Sequence, residues 1–113
     1  MFRPLLIASL AVVAVATIRP ASADVRVYIH EEMTDYKAFQ KAYNSFAATR
    51  KKMGVIRATV YQNVDNKNDV TITHDFKTLD QAKAFLALPD LHTSMQSVAK
   101  GPPQIWLTAP GAK

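Results

Sequence analysis

The feature that most constrains the fold is a strand–turn–strand unit in the middle of the chain, with an amphipathic helix on either side. Residues 55–64 and 70–76 both have the alternating, β-branched pattern of half-buried strands. Between them, residues 65–68 read Asp-Asn-Lys-Asn, a composition typical of a turn. A loop this short joins antiparallel neighbours, so the sequence predicts a hairpin here.

The segment before the hairpin predicts a strand followed by a helix. Residues 25–30 alternate strictly, with valine or isoleucine at every odd position. Thr34 or Asp35 can cap a helix that ends at Gly54, a residue able to adopt left-handed dihedral angles. The apolar side chains between these points share one helical face. They are Tyr36, Phe39, Tyr43, Phe46 and Met53.

The segment after the hairpin continues in the same way. Thr78 and Gln81 have the spacing of a capping box at the start of a helix over residues 79–88. Asp90 can cap a short additional helix, and residues 104–108 predict a fourth strand. The order β-α-β-β-α-β predicts an α+β, ferredoxin-like fold. In that fold a four-stranded antiparallel sheet, in the order 4-1-3-2, carries its helices on one face.

The other face of the predicted sheet is rich in aromatic and arginine side chains. Antiparallel registers place Trp106 near Tyr28 and Asp75 between two arginines. A solvated face would carry mainly Lys, Glu, Ser and Thr, whereas Tyr, Trp and Arg are enriched at protein interfaces. We therefore expect a second copy of the chain to cover this face and form a dimeric α/β barrel; the alternative is an ordinary solvated sheet. The predicted interface residues are Arg26, Tyr28, Arg57, Tyr61, Asp75 and Trp106.

The first 23 residues predict a cleaved secretory signal peptide. Arg3 gives a short positive segment, residues 5–16 are an unbroken apolar run, and residues 21–23 read Ala-Ser-Ala. The apolar run is shorter than the roughly 20 residues that a membrane-spanning helix needs. We expect cleavage between Ala23 and Asp24, no stable membrane anchor afterwards, and export to the periplasm or the exterior. The alternative is an uncleaved anchor. Residues 24–113 would then form a single domain.

Composition narrows the class of protein further. The chain has no cysteine, which excludes disulfides, thiolate catalysis and cysteine-bound metal. A domain this small is only marginally stable alone, and a homodimer is the common alternative to disulfides. The net charge of the whole chain is +5, and two of its arginines lie in the predicted signal peptide. The remaining basic excess is small and dispersed, so we expect no nucleic-acid partner.

Several segments carry a family resemblance. They are Gly-Val-Ile at residues 54–56, the strand at 70–76, Leu-Asp-Gln-Ala-Lys-Ala-Phe at 79–85, Leu-Pro-Asp-Leu at 88–91 and Gly-Pro-Pro-Gln-Ile-Trp at 101–106. Together they resemble the small dimeric α/β-barrel proteins, which include the antibiotic-biosynthesis-monooxygenase-like group and barrels labelled "cyclase". The resemblance covers nearly all of residues 24–110. It implies the fold and leaves the activity open, because this fold hosts oxygenases, haem-processing enzymes, isomerases and many proteins of unknown activity.

The resemblance also implies that a substrate would bind in a cavity between the sheet and the helices. Haem-processing members share an Asn/Trp/His arrangement with the histidine on the second helix. Residues 79–88 contain no histidine here and the first strand contains no asparagine, which argues against haem degradation. His92, on the short additional helix, is a loose substitute and a candidate ligand-binding residue.

His74 is the candidate catalytic residue. It occupies a helix-facing position among apolar neighbours, where an imidazole needs a hydrogen-bond partner. It is either a core histidine or a general base beside an internal pocket. Tyr61 is a second candidate ligand-binding residue. The histidines lack metal-ligand spacing and the three glycines form no phosphate-binding loop, so we expect neither a metal nor a cofactor.

Two hypotheses about function remain. The first is an exported, non-catalytic or ligand-binding barrel that holds a small apolar or aromatic molecule. The alternative is a cofactor-independent monooxygenase or isomerase that acts on an aromatic or polyketide-like molecule, with His74 handling the proton. The sequence favours the first, because it places the aromatic side chains at the interface rather than in a pocket. A large cavity beside His74 would reverse that order.

Overall fold

The computed structural model of this protein describes residues 24–111. Within that range the chain forms four helices and four strands. In chain order they are β1 (Val25–Glu32), α1 (Tyr36–Ser45), α2 (Ala47–Lys52), β2 (Arg57–Gln62), β3 (Asp69–Phe76), α3 (Leu79–Leu86), α4 (Pro89–Val98) and β4 (Gln104–Thr108).

The four strands form one antiparallel sheet in the order β2–β3–β1–β4, which confirms the predicted topology. The central strands β1 and β3 pair along their full length. Trp106 lies opposite Tyr28, and Asp75 lies opposite Arg26 on one side and Arg57 on the other. The pairing expected from simple antiparallel registers in this strand order is therefore correct.

The hydrophobic core lies between the central strands and the helices. The odd-numbered side chains of β1 and the even-numbered side chains of β3 point towards α1, α3 and α4, as period-two alternation requires. Phe39 of α1 and Phe85 of α3 pack into this layer and are fully buried. The helix-facing side chains of the edge strands are much more exposed, among them Ile105 and Leu107 of β4. The helices therefore cover the middle of the sheet and leave its edges open.

The prediction of one continuous helix up to Met53 is wrong, because the helix breaks at Phe46. The Ser45 hydroxyl donates to the Ala42 carbonyl at 2.6 Å, and the Phe46 N–H turns back to the Tyr43 carbonyl at 3.1 Å. The Arg50 guanidinium donates to that same Tyr43 carbonyl. These bonds compete with the regular helical ladder, so the chain ends α1 and starts α2 one residue later.

The start of α4 also differs from the prediction. Asp90 is not the N-cap; the helix begins at Pro89, and Leu88 occupies the cap position without a side-chain hydrogen bond. Proline suits the first helical position because its fixed φ matches the helix and it lacks an N–H that would have no partner there. By contrast, the capping box of Thr78 and Gln81 is present as predicted.

Gly54 follows α2 with a φ of 98°. A Cβ atom at this position would lie 2.8 Å from Nε2 of Gln81. Both the left-handed backbone and the close approach of the α3 capping box therefore require glycine here.

The predicted signal peptide and the residue before its cleavage site lie outside the described residues. Asp24 is the first described residue and accepts a hydrogen bond from Arg57 at 2.8 Å. Between residues 24 and 111 no helix is long and apolar enough to cross a membrane.

Candidate functional site

A pocket of about 450 Å³ lies between the sheet and the helices, partly open to solvent. Its floor is the helix-facing side of β1, β3 and β4, and its walls come from all four helices and the segment that leads into β4. The pocket has the size and the mostly apolar lining of small-molecule sites. Its apolar lining includes Ile29, Ala42, Phe46, Ile72, Phe85, Leu86, Leu91, Met95 and Ile105.

Three polar side chains meet at one part of this pocket. The Tyr43 hydroxyl and Nε2 of His74 share a hydrogen bond of 2.9 Å, and their rings stack with centroids 5.9 Å apart. The Arg50 guanidinium carbon lies 3.8 Å from the centroid of the Tyr43 ring. α1 contributes the tyrosine, α2 the arginine and β3 the histidine, so the break between α1 and α2 helps to form the cluster.

Burial controls the charges of this cluster. Desolvation, helped by the nearby Arg50 cation, lowers the pKa of His74 to about 4. Desolvation also raises the pKa of Tyr43. Both rings are therefore neutral at neutral pH, and Arg50 carries the one positive charge of the cluster. Nδ1 of His74 is buried and has no hydrogen-bond partner in the described part of the chain.

Glu31, near the end of β1, is a further polar residue of the pocket, apart from this cluster. Its side chain lies on the helix-facing side of β1, like those of Val25, Val27 and Ile29, and the residue is only 5% exposed. Neither carboxyl oxygen has a hydrogen-bond partner among residues 24–111. Desolvation raises the pKa of this carboxyl to about 7. The group can therefore gain or lose a proton near neutral pH.

The structure brings two of the predicted site residues to the pocket. His74 and His92 both line it, although His92 is exposed and donates from Nε2 to the Leu86 carbonyl at 2.6 Å. Tyr61 lies on the opposite face of the sheet and is not among the lining residues. No three acidic or histidine side chains in the described range are grouped closely enough to hold a metal ion.

Sequence reasoning missed Tyr43, Arg50 and Glu31 as site residues. Tyr43 fits the apolar stripe of the predicted helix, and Arg50 lies in the last turn of α2, where a cation favours the helix dipole. Glu31 could have been identified from the sequence. It is the next residue on the buried side of β1 after three aliphatic residues. An acidic side chain at such a position needs either a partner or a function.

The face of the sheet that carries no helix holds the predicted interface residues. Asp75 is 2% exposed because two guanidinium groups cover it. Arg26 binds its two oxygens at 2.7 and 2.9 Å, and Arg57 binds one at 2.9 Å. These hydrogen bonds, chiefly those from Arg26, lower the pKa of Asp75. Trp106 and Tyr61 are 52% and 55% exposed on the same face, so two large aromatic side chains remain accessible on this single chain.

A separate polar cluster lies where β1, β3 and β4 meet on this face. Nε2 of His30 lies 2.6 Å from Oδ1 of Asp69, and Nδ1 lies 3.2 Å from Oε1 of Gln104. These contacts, led by the bond to Gln104, raise the pKa of His30. The surroundings of His30 therefore raise its pKa, whereas those of His74 lower it.

No protein-family description matches this chain, and no curated protein matches it. Solved structures with a similar fold include SnoaB, a cofactor-independent oxygenase from Streptomyces nogalater. Its TM-score is 0.69 at 16% identity, over 80% of this chain and 96% of that chain. A protein from Bordetella bronchiseptica, assigned as an antibiotic biosynthesis monooxygenase, gives a TM-score of 0.66 at 11% identity over 80% and 99% of the two chains.

A Nitrosomonas europaea protein with the same assignment gives a TM-score of 0.64 at 13% identity, over 77% of this chain and 89% of its own. Identities this low establish the fold alone. They confirm the resemblance inferred from the sequence at that level: this chain has the ferredoxin-like α+β fold of the antibiotic-biosynthesis-monooxygenase-like proteins.

Proposed function

We propose that this protein takes a small apolar or aromatic molecule into the pocket and acts on it as a cofactor-independent enzyme of monooxygenase or isomerase type. One observation carries the proposal. A pocket of about 450 Å³ adjoins His74, and that is the feature that reverses the preference of the sequence for a non-catalytic barrel.

The residues of the pocket suggest how a molecule would be held. Its apolar walls would bury a ring system, and burial of apolar surface is the main source of affinity in such sites. Arg50 is the cation at the His74 part of the pocket, so we expect an acidic group of the molecule to lie there. The Tyr43 hydroxyl and the neutral His74 would then hydrogen-bond that group and orient it.

The shared fold supports this class of reaction. SnoaB is described as a cofactor-independent oxygenase, so a chain of this fold can carry that chemistry without a bound cofactor. The residues that would do so in the present chain are its own, and their roles rest on the pocket geometry alone.

Binding without turnover is the second candidate, and one observation favours it. A general base works best when its pKa lies near the operating pH, and the pKa of His74 is about 4. On this alternative, the pocket stores or carries the molecule and His74 only hydrogen-bonds it.

We further propose that the protein is exported and works as a homodimer. The pattern of residues 1–23 supports export. The exposed Trp106 and Tyr61, beside the ordered arginines, support a partner on the bare face of the sheet. Native mass spectrometry of the protein recovered from its own compartment tests both points through the mass of the chain and of the assembly.

The same measurement tests the pocket, because a retained small molecule would be seen as added mass. Once that molecule is identified, oxygen uptake and product mass distinguish an enzyme from a binding protein. His74→Gln should abolish turnover, whereas His30→Gln, a matched change on the other face, should leave it intact. Binding with no product would favour the second candidate, and equal turnover in both variants would contradict the role given to His74.

A further inference from the structure

Glu31 is a buried carboxyl group that the proposed chemistry at His74 does not use. Its side chain lines the pocket and is 95% removed from solvent, yet neither oxygen meets a donor within residues 24–111. Buried carboxylates normally accept hydrogen bonds or pair with a cation, and an unsatisfied one destabilises the folded chain. Asp75, on the other side of the same sheet, shows the usual arrangement, with three hydrogen bonds from two arginines.

The surroundings of Glu31 do not supply a structural reason for it. Its neighbours on the same side of β1 are aliphatic, and Val70 lies opposite it on β3. The adjacent cation, Lys100, donates to Glu32 at 3.2 Å instead. An apolar residue at this position would continue the core and be more stable. A polar group kept at such a cost is best explained by something that enters the pocket.

The position of Glu31 in β1 also determines how far it lies from His74. His74 lies opposite Val27 in the sheet, four residues before Glu31 along β1. At about 3.3 Å per residue the two groups are about 13 Å apart along the strand. The pocket therefore has polar side chains at two separate places, Arg50 and His74 at one and Glu31 at the other. Ile29 and Ile72, which also line the pocket, lie between His74 and Glu31 in the sheet.

We propose that Glu31 is a ligand-binding residue whose carboxylate accepts a hydrogen bond from an O–H or N–H group of the molecule in the pocket. The inference rests on the proposed function in one respect, that a small molecule occupies the pocket. It adds the class of that molecule: an elongated apolar body with an acidic group at the Arg50 end and a hydrogen-bond donor at the far end.

The test uses two probes with the same apolar body and the same carboxylate, of which only one has a donor at the far end. 4′-Hydroxybiphenyl-4-carboxylate has a carboxylate for Arg50 and a hydroxyl at the opposite end of a rigid apolar body. Its 4′-methoxy ether has the same carboxylate and no donor. Binding of both is measured by calorimetry at pH 8, on the protein purified after expression of the full chain. We expect the hydroxyl probe to bind about tenfold more tightly, since a hydrogen bond to a charged acceptor is a strong one.

Two variants test whether Glu31 causes the tighter binding of the hydroxyl probe. In Glu31→Met, which replaces the carboxyl with an apolar chain of similar length, the two probes should bind within about twofold of each other. Glu32→Gln is the matched control, because Glu32 is adjacent, exposed and points away from the pocket, and it should keep the full preference. Glu31→Met should fold at least as well as the natural chain, so lost binding would not reflect unfolding.

The outcomes separate the two proposals. Equal binding of the probes to the natural chain, as expected if ordered water already satisfies the carboxylate, would overturn the role of Glu31. A preference that persists in Glu31→Met would overturn it as well, and in both cases the pocket would remain a binding site. Failure of both probes to bind the natural chain and both variants would instead overturn the pocket proposal itself, and the role of Glu31 with it.

Discussion

Two buried carboxyl groups lie on opposite faces of the same sheet and have opposite surroundings. Asp75 faces the side without helices and is held by Arg26 and Arg57, so its pKa is lowered. Glu31 faces the helices and has no partner in the described residues, so its pKa is raised to about 7. Two carboxyl groups of similarly low exposure therefore have pKa values shifted in opposite directions, and their hydrogen-bond partners account for the difference.

Hydrogen-bond partners distinguish the polar groups that stabilise the fold from those that are available for chemistry. A carboxylate that two guanidiniums neutralise stabilises the sheet and resists protonation. A carboxyl without partners destabilises the folded chain when ionised and gains a proton easily. If this distinction is correct, the two groups must respond in opposite directions to substitution and to pH.

The largest expected effect is on the pH dependence of stability at Glu31. Because its folded-state pKa is about 7 and its ordinary value is 4.5, the folded chain binds more protons than the unfolded chain between these values. The free energy of unfolding must therefore fall as pH rises from 4.5 to 7, by on the order of 3 kcal/mol from this group. Glu31→Gln lacks this fall, so its stability relative to the natural chain should improve by that amount between pH 4.5 and pH 8.

Urea denaturation of both proteins at several pH values measures this difference. His74 contributes a slope of opposite sign, since its pKa is lowered, but both proteins share it and it cancels in the difference. A constant difference between the two proteins across this range would show that Glu31 is not desolvated in solution.

The next largest effect is expected for Trp106, on the face of the sheet that carries no helix. Trp106→Ala should weaken the proposed dimer by about 2 kcal/mol, which is about a 30-fold rise in the dissociation constant, because an aromatic anchor would lose its partner surface. Val64→Ala, which removes an exposed apolar side chain from the turn after β2, is the matched control and should have no effect. Sedimentation velocity at micromolar concentration measures both, and unchanged association of the Trp106 variant would argue against this face as the interface.

Asp75→Asn should destabilise the fold by about 1–2 kcal/mol at pH 7. The change removes the charge from three hydrogen bonds, and the value is modest because the side chains of Arg26 and Arg57 are 45% and 58% exposed. The contribution of Asp75 is present above its ordinary pKa and is lost as pH falls through the lowered folded-state pKa. The deficit of the variant should therefore shrink in acid, which chemical denaturation at pH 7 and pH 3 would show. A deficit that does not change with pH would contradict the ionic arrangement.

The smallest effect is expected for Tyr43→Phe. The variant removes one buried hydrogen bond and leaves Nε2 of His74 without that partner, which should cost about 1 kcal/mol. Thermal denaturation gives the stability, and the imidazole proton signals of His74 give the local change. His30 and His92 serve as internal controls, and a shift at all three histidines would indicate a general rearrangement instead.

The sheet was predictable because alternation in β1 and β3 carries both the burial and the register. The pairing of Trp106 with Tyr28, and of Asp75 with two arginines, follows from that alternation once the strand order of the fold is known. The break at Phe46 did not follow from the pattern, since it depends on side-chain bonds to the backbone that leave the apolar periodicity unchanged.

The site was predictable only in part. His74 was found because a polar residue at a buried position is conspicuous in a strand. Tyr43 and Arg50 were missed because a tyrosine in a helix stripe and an arginine in a last turn have ordinary structural explanations. The cluster exists only once α1 and α2 bring them beside β3, and the sequence contains no local sign of that approach.

The hydrogen bonds that hold Arg26 and Arg57 on Asp75 also affect how fast the proposed dimer would form. Free arginine side chains lose considerable rotational freedom when a partner fixes them, and that loss opposes binding. Here one carboxylate already holds both guanidiniums before any partner arrives. A surface ordered in advance can be recognised without a slow rearrangement, so association on this face should be limited by orientation during encounter rather than by a change of shape.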